Sequence, residues 1–281
     1  MAQKEKLKVA ILGSEGYVGK AFVNFFDRYE IIKYDPVLKE KSATKQEVNS
    51  CFLSLIAVPT QMAKDGSCDT SIVEQSVKWL KTPLILIKST IPPSTTERLK
   101  KKYKKRIVFS PEYLGEGKYT TPFWKYPHPT DVKWHDFMIV GGDRKDTNEI
   151  IEIVQPILGP NCRYYQTDAT SAEMVKYAEN SWAGQKVVFC NELYEICEVF
   201  GVDYREMREM FLLDGRVERI HTSVFKHKRG YSGKCLPKDI NAIVYASKKA
   251  GYRPRLLEEV IRSNRRFRKM NKKVEQKSKN K

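Results

Sequence analysis

The chain has 281 residues, which fits one large domain or two ordinary ones, and 41% of them are hydrophobic, enough for a packed core. Its net charge of +17 is unevenly placed, because the stretch from Arg262 to the end carries +9 of it. Six cysteines with no Cys-x-x-Cys spacing and no histidine clustering argue against a metal site and read as reduced thiols of a cytosolic protein, and no apolar run approaches the roughly 20 residues of a membrane span.

The apolar run within Met1 to Gly13 is too brief and wrongly flanked for a signal peptide, so the expected compartment is the cytoplasm. Its core, Leu7 to Leu12, reads as a buried strand. It leads into Gly13-Ser14-Glu15-Gly16-Tyr17-Val18-Gly19 and a helix to Phe26, followed by a second strand, Glu30 to Tyr34, that ends in Asp35. Strand, glycine turn, helix, strand and acid in this order form a dinucleotide-binding fingerprint. Glycines let the backbone approach a pyrophosphate at the helix N-terminus, and the acid bonds ribose hydroxyls. Asp35 lies 22 residues after Gly13 and is followed by Pro36, not an arginine, which leans towards NAD over NADP, while the nearby Lys33 and Lys39 pull the other way.

Further strands are expected at Cys51 to Val58, Leu84 to Lys88, Arg106 to Phe109 and Phe137 to Val140. Helices are expected at Thr70 to Leu80, Thr95 to Lys104 and Thr147 to Leu158. The alternation predicts a doubly wound, mostly parallel sheet, in which ligands sit beyond the carboxyl ends of the strands. Three such ends carry Val58-Pro59-Thr60, Lys88-Ser89-Thr90-Ile91-Pro92-Pro93 and Ser110-Pro111-Glu112-Tyr113-Leu114-Gly115-Glu116-Gly117, placing hydroxyls and two carboxylates on one rim. The aromatic, proline-rich loop between Lys118 and Asp136 contains His128 and His135, which lack metal-pair spacing and read as surface residues.

From Thr170 to about Phe200 apolar residues recur at helical spacing, a length that suits a bridge or a dimer seam. Glu173, Lys176 and Asn180 share one face of it. A lysine and an amide there can polarise a substrate oxygen or steady a water, or simply be exposed. A short helix, Tyr204 to Leu213, precedes the basic segment Arg216 to Arg229 and then Gly230-Tyr231-Ser232-Gly233-Lys234-Cys235-Leu236-Pro237-Lys238-Asp239. Pro237 suits the first turn of a helix running on through Ile240 to Ala250, which would put Cys235 at a helix N-terminus, with Lys234 and Lys238 beside it and Asp239 one turn on. Such a cysteine is either a reactive thiol or a small buried residue in a glycine-rich turn.

With these pieces in order, the chain resembles the UDP-glucose/GDP-mannose dehydrogenase family from about residue 7 to 265. The resemblance rests on Gly-Tyr-Val-Gly, Val58-Pro59-Thr60, Lys88-Ser89-Thr90, Pro111-Glu112-Tyr113-Leu114-x-Glu116-Gly117, Glu173-x-x-Lys176-x-x-x-Asn180, Asn191-Glu192 and Cys235-Leu236-Pro237-Lys238-Asp239. It implies a Rossmann-type doubly wound parallel sheet (1–167), then an all-helical central and dimerisation domain with a long connecting helix (168–261), leaving 262–281 as a basic, disordered tail. It also implies NAD-dependent oxidation of a nucleotide-sugar primary alcohol to the carboxylate, with Cys235 forming a thiohemiacetal and then a thioester. In that scheme Lys176 and Asn180 stabilise oxyanion character, Asp239 with Lys176 handles water and protons, and Glu112, Glu116 and Thr90 complete the network.

The same resemblance implies a cofactor site at Gly13, Gly16, Tyr17, Val18, Asp35, Pro59, Thr60, Ser89, Thr90, Glu116 and Lys238. Substrate would meet Glu112, Tyr113, Leu114, Lys176, Asn180, Arg219, Tyr231 and Gly233, with Arg219 (or Arg216) serving the neighbouring subunit of a homodimer. The chain departs from the family in having one extra residue between the first two glycines, in Ser94, Ser232 and Lys234, in an apparent insertion from Lys118, and in ending where the family continues into a third, nucleotide-binding domain. Two other classes fit parts of the pattern. One is a two-electron dehydrogenase of the β-hydroxyacid type, for which Cys235 has no use. The other is a non-catalytic NAD-binding or nucleic-acid-associated protein using the basic tail, which lacks interleaved aromatics.

Overall fold

The computed structural model describes residues 7–114 and 131–279. The chain divides into two compact units, residues 1–61 with 68–176 and residues 62–67 with 177–281.

The first unit is a seven-stranded sheet. Its strands are β1 (Lys8–Leu12), β2 (Glu30–Tyr34), β3 (Leu53–Ile56), β4 (Leu84–Ile87), β5 (Ile107–Phe109), β6 (Phe137–Gly141) and β7 (Arg163–Thr167), in the order β2-β1-β3-β4-β5-β6-β7. All neighbours run parallel except β5 and β6, which meet antiparallel at Phe109 and Gly141. Between the strands lie α1 (Tyr17–Phe25), α2 (Lys45–Asn49), α3 (Ser71–Trp79), α4 (Thr95–Tyr103) and α5 (Arg144–Leu158). Central strands are almost wholly apolar because both faces are covered, Ser54 of β3 being a buried exception. Val9, Ile11, Leu53, Leu55, Leu84 and Leu86 pack with Phe22 and Phe25 of α1 and with Phe26, which caps it. The alternate residues Ala10, Leu12, Ile56, Ile85 and Ile87 pack with Val73 and Val77 of α3 and Leu99 of α4, as the period of two in a strand requires.

The strand order reverses direction between β1 and β3, so the crevice expected to take a ligand opens where Gly13 follows β1 and Ala57 follows β3. The six strands expected from the sequence are present. β7 was not expected, because it is an edge strand of half-exposed polar and aromatic residues with no apolar run.

The second unit is helical. α6 (Ala169–Phe200) begins in the first unit and belongs to the second from Tyr177 onward; α7 (Tyr204–Phe211), α8 (Cys235–Lys249) and α9 (Arg255–Lys279) follow. Val188, Tyr231, Ile240, Val260 and Phe267 form one buried cluster, and Cys190, Cys197 and Tyr204 form another. Of the stretch read from sequence as a disordered tail, residues 262–279 lie in α9, with Ser263, Asn264, Phe267 and Asn271 buried. Among the described residues no helix is long and apolar enough to cross a membrane.

Candidate functional site

At the end of β1, Gly13 adopts φ +80°, and a Cβ there would stand 2.5 Å from the Ala57 carbonyl oxygen. A Cβ on Gly19 would stand 1.9 Å from the Gly13 carbonyl oxygen, so α1 can approach the turn this closely only with glycine there. Gly16 caps α1, and Tyr17 and Val18 form its first turn, with Tyr17 exposed. Asp35 is buried at the end of β2, where Oδ2 accepts from the Glu15 N–H at 2.9 Å and Oδ1 from the Val37 N–H at 2.9 Å. The longer glycine turn is thereby fastened to the acid, whose oxygens keep lone pairs for further donors. Ser14, within this longer turn, is fully buried, and its hydroxyl has no hydrogen-bond partner. A glycine turn at a helix start beside a buried acid is a donor and acceptor set that fits the diphosphate and ribose of a dinucleotide.

Along the same rim Pro59 is exposed and Thr60 buried. The Ser89 hydroxyl donates to the Val58 carbonyl at 2.7 Å and ties the β3 and β4 ends together. The Thr90 carbonyl accepts from the Cys68 thiol at 3.7 Å.

Lys176 and Glu112 are brought together: Nζ lies 3.8 Å from Oε1 and 5.4 Å from the centre of the Tyr113 ring. Glu112 Oε2 accepts from the Leu114 N–H at 2.9 Å, and Leu114 is packed into the sheet core. Glu116 lies outside the described residues, as do His128 and the start of its loop. His135 is not a plain surface residue. It stacks at 6.5 Å on Phe137 and shares with Lys88, Glu112 and Tyr113 a cavity of about 20 Å³, room for a single water. Burial and then the Lys88 charge push His135 down to about 4.

In the second unit α8 opens with Cys235 itself, an exposed thiol at the end of the helix where backbone N–H groups carry partial positive charge. Asp239, one turn on, is 1% exposed. Its Oδ2 accepts from Asn180 Nδ2 at 2.6 Å, and its Oδ1 pairs with Lys238. Gly233 is exposed with φ +89°. Tyr231, by contrast, is 6% exposed in the helical core, and its hydroxyl is pushed up to about 12 by burial. Arg219 is held by Glu209 through two bonds, at 2.9 and 2.7 Å, and the exposed Arg216 by Asp214.

The sequence reading missed what holds the cysteine loop. Asn264 accepts from the Tyr231 N–H at 2.7 Å and donates to the Tyr231 carbonyl at 3.1 Å; Asn271 does the same for Arg229 at 2.7 and 3.0 Å. Asn191 Oδ1 accepts from Arg229 Nε at 2.7 Å and from the Gly230 N–H at 3.1 Å. Two asparagines seven apart, with Phe267 between them on the same helix face, were the available signal.

Comparison with known proteins gives these features a family. The model of the UDP-glucose/GDP-mannose dehydrogenase family, NAD binding domain, matches residues 27–155, and that of the same family's central domain matches residues 170–266. The UDP-glucose 6-dehydrogenase of Rickettsia bellii is 30% identical over 239 residues, covering 81% of this chain and 52% of that protein. That of Haloferax volcanii is 32% identical over 240 residues, covering 78% and 53%. The chain thus spans about half the length of the curated relatives it matches.

Among solved structures, a UDP-glucose dehydrogenase from Pyrobaculum islandicum matches with a TM-score of 0.78 at 24% identity, covering 94% of this chain and 69% of that one. A 3-hydroxyisobutyrate dehydrogenase from Mycobacterium tuberculosis matches with a TM-score of 0.67 at 14% identity, covering 93% and 94%. These two likenesses speak to the fold alone. The domain models, matched in the order in which the sheet and the helical unit follow one another, together with the sequence relatives, decide the assignment: the chain belongs to the UDP-glucose/GDP-mannose dehydrogenase family.

Proposed function

We propose that this chain serves as the NAD-binding and central part of a nucleotide-sugar dehydrogenase that oxidises a primary alcohol of a UDP- or GDP-linked sugar to the carboxylate. The observation that carries the reading is Cys235, exposed at the first position of α8, one turn ahead of a buried Asp239 that Asn180 holds in place. A thiol on a helix start beside a fixed carboxylate serves aldehyde capture and has no use in a simple two-electron oxidation.

NAD, when bound, supplies the hydride acceptor for both half-reactions. Gly13, Gly16, Tyr17 and Val18 would hold its diphosphate and Asp35 its ribose, with Pro59, Thr60, Ser89, Thr90, Glu116 and Lys238 as the remaining contacts. The alcohol carbon loses a hydride and its oxygen a proton, giving the aldehyde. Cys235 Sγ then forms a bond to the aldehyde carbon, and the oxygen takes up a proton. A second hydride and that proton leave to give the thioester. Water adds to its carbonyl, the carbon–sulfur bond breaks, and the thiolate is restored as the carboxylate departs.

Lys176 and Asn180 donate to the oxygen as negative charge develops on it, the task for which fixed donors are worth most. Asp239 orients water, and Glu112, Glu116 and Thr90 pass protons. Glu112, Tyr113, Leu114, Lys176, Asn180 and Gly233 are the substrate contacts this chain supplies, with Arg219 offered to a second copy. That copy is the partner we assign to α6, on which Trp182, Phe189 and Ile196 stand seven residues apart and are 55%, 53% and 46% exposed.

The test is stoichiometric. Alcohol to carboxylate is a four-electron oxidation, so the protein incubated with NAD and a panel of UDP- and GDP-sugars is expected to form two NADH per sugar. Cys235→Ser is expected to stall at or before the aldehyde. One NADH per sugar with Cys235→Ser unaffected would favour the two-electron alternative, and intact NAD binding with no turnover of any sugar would sink both.

A further inference from the structure

Lys88 directly follows β4 and is 4% exposed. Its Nζ donates to Ser110 Oγ at 3.0 Å and to the Pro111 carbonyl at 2.8 Å, and it lies 4.9 Å from the centre of the Phe22 ring. Both acceptors are neutral, so they solvate the ammonium without cancelling its charge. A well-packed apolar side chain at such a position is usually no less stable, so the lysine calls for a task other than stability. The charged and titratable groups that act on it or share its cavity are Glu112, Lys176, His135 and Tyr113. Burial drives the amine down to about 7, with Glu112 pulling it back up and Lys176 pushing it further down.

The two acceptors are the two residues immediately before Glu112. Beyond them the carboxylate is held by the Leu114 N–H on one oxygen, and on the other it faces Lys176 at 3.8 Å. A contact path therefore runs from the end of β4, through the end of β5, to Glu112 and Lys176.

We propose that Lys88 is a positioning residue for Glu112: by clamping Ser110 and Pro111 from below, its buried amine sets where that carboxylate stands against Lys176. The proposal rests on the roles given above to Glu112 in passing protons and to Lys176 in donating to the reacting oxygen. Losing the proton leaves the amine two N–H donors for its two acceptors, so the clamp outlasts the charge, while the field on Glu112 and Lys176 changes.

The experiment compares Lys88→Met, Lys88→Arg and Ser110→Ala with the parent chain, reading hydrogen exchange of the Leu114 amide by NMR and NADH formation across about pH 6 to 9. In Lys88→Met the Leu114 amide is expected to exchange about tenfold faster. The kcat is expected to fall about tenfold or more, with KM for NAD within about twofold, the signature of lost positioning and not of lost cofactor binding. Lys88→Arg should restore part of both, and its rate profile should lose the limb near pH 7, because a guanidinium stays charged. Ser110→Ala removes one acceptor and should shift exchange and kcat in the same direction by less, which keeps the test open if Lys88→Met fails to fold. Unchanged Leu114 exchange in the folded variants overturns the proposal whatever the activity. A parent chain that turns over no sugar nucleotide defeats the functional assignment, and the exchange data then decide the positioning role alone.

Discussion

Glu173 is fully buried on the first turns of α6. Its Oε1 accepts from the Thr96 N–H at 2.8 Å and the Thr96 hydroxyl at 2.6 Å, so the carboxyl sits against the start of α4, while Oε2 has no hydrogen-bond partner. Burial raises the group from 4.5 to about 7, against the lowering effect of the Thr96 and Ser94 donors. Because the folded value lies above the unfolded one, its contribution to stability is complete below about pH 4.5 and is lost as pH rises through about 7. The full span amounts to roughly 3 kcal/mol. Glu173→Gln keeps an acceptor for Thr96 and removes the charge. The parent chain is expected to lose stability between about pH 5 and 8, and the variant to lose roughly 3 kcal/mol less over that range, as read from urea midpoints. Identical pH slopes for the two proteins would mean that this carboxyl is not desolvated in solution.

At the scale of elements, α9 holds the cysteine loop through Asn264 and Asn271, each satisfying both the N–H and the C=O of one buried residue. Removing an amide orphans two buried backbone groups, so Asn264→Ala and Asn271→Ala should each cost about 1–3 kcal/mol, whereas Lys269→Ala on the exposed face should stay within about 0.5 kcal/mol. Equal urea midpoints for all three variants would remove the clamp from the account. The sheet was legible because β1, β3 and β4 are buried on both faces and so read as apolar runs, interrupted only by Lys8 at the start of β1 and by Ser54 in β3. α8 was legible because Pro237 and the apolar spacing after it mark a helix start. α9 was not, because its buried stripe is Val260, Ser263, Asn264, Phe267 and Asn271, three of whose five members are polar and escape a hydrophobic period. At the site, spacing brought out Lys176, Asn180 and Asp239. It left Lys88 and Glu173 without partners, since Ser110 and Thr96 reach them only through the folded sheet and its helices.

Over the whole molecule two features pull association in opposite directions. The net charge of +17 repels a second copy and attracts polyanions, and Arg262, Arg265, Arg266 and Lys269 concentrate it on one exposed face of α9. The α6 seam of Trp182, Phe189 and Ile196 favours a second copy through apolar contact, and Val199 and Phe200, at 82% and 77% exposure, extend it. A seven-residue repeat keeps these side chains on one side of the helix with a drift of only about 20° per repeat, so two copies can pack along it. Salt separates the two outcomes. Screening like charges should strengthen a dimer between about 50 and 300 mM salt, whereas counterion release makes polynucleotide binding weaken over the same range. In sedimentation experiments the parent chain is therefore expected to shift towards dimer as salt rises, and Phe189→Glu, which places a charge in the seam, should remain monomeric throughout. A parent chain that stays monomeric at every salt concentration, or a Phe189→Glu variant that still dimerises, would take the seam away from α6. If polynucleotide binding instead dominates at low salt and fades as salt rises, the basic face of α9 becomes the principal contact surface.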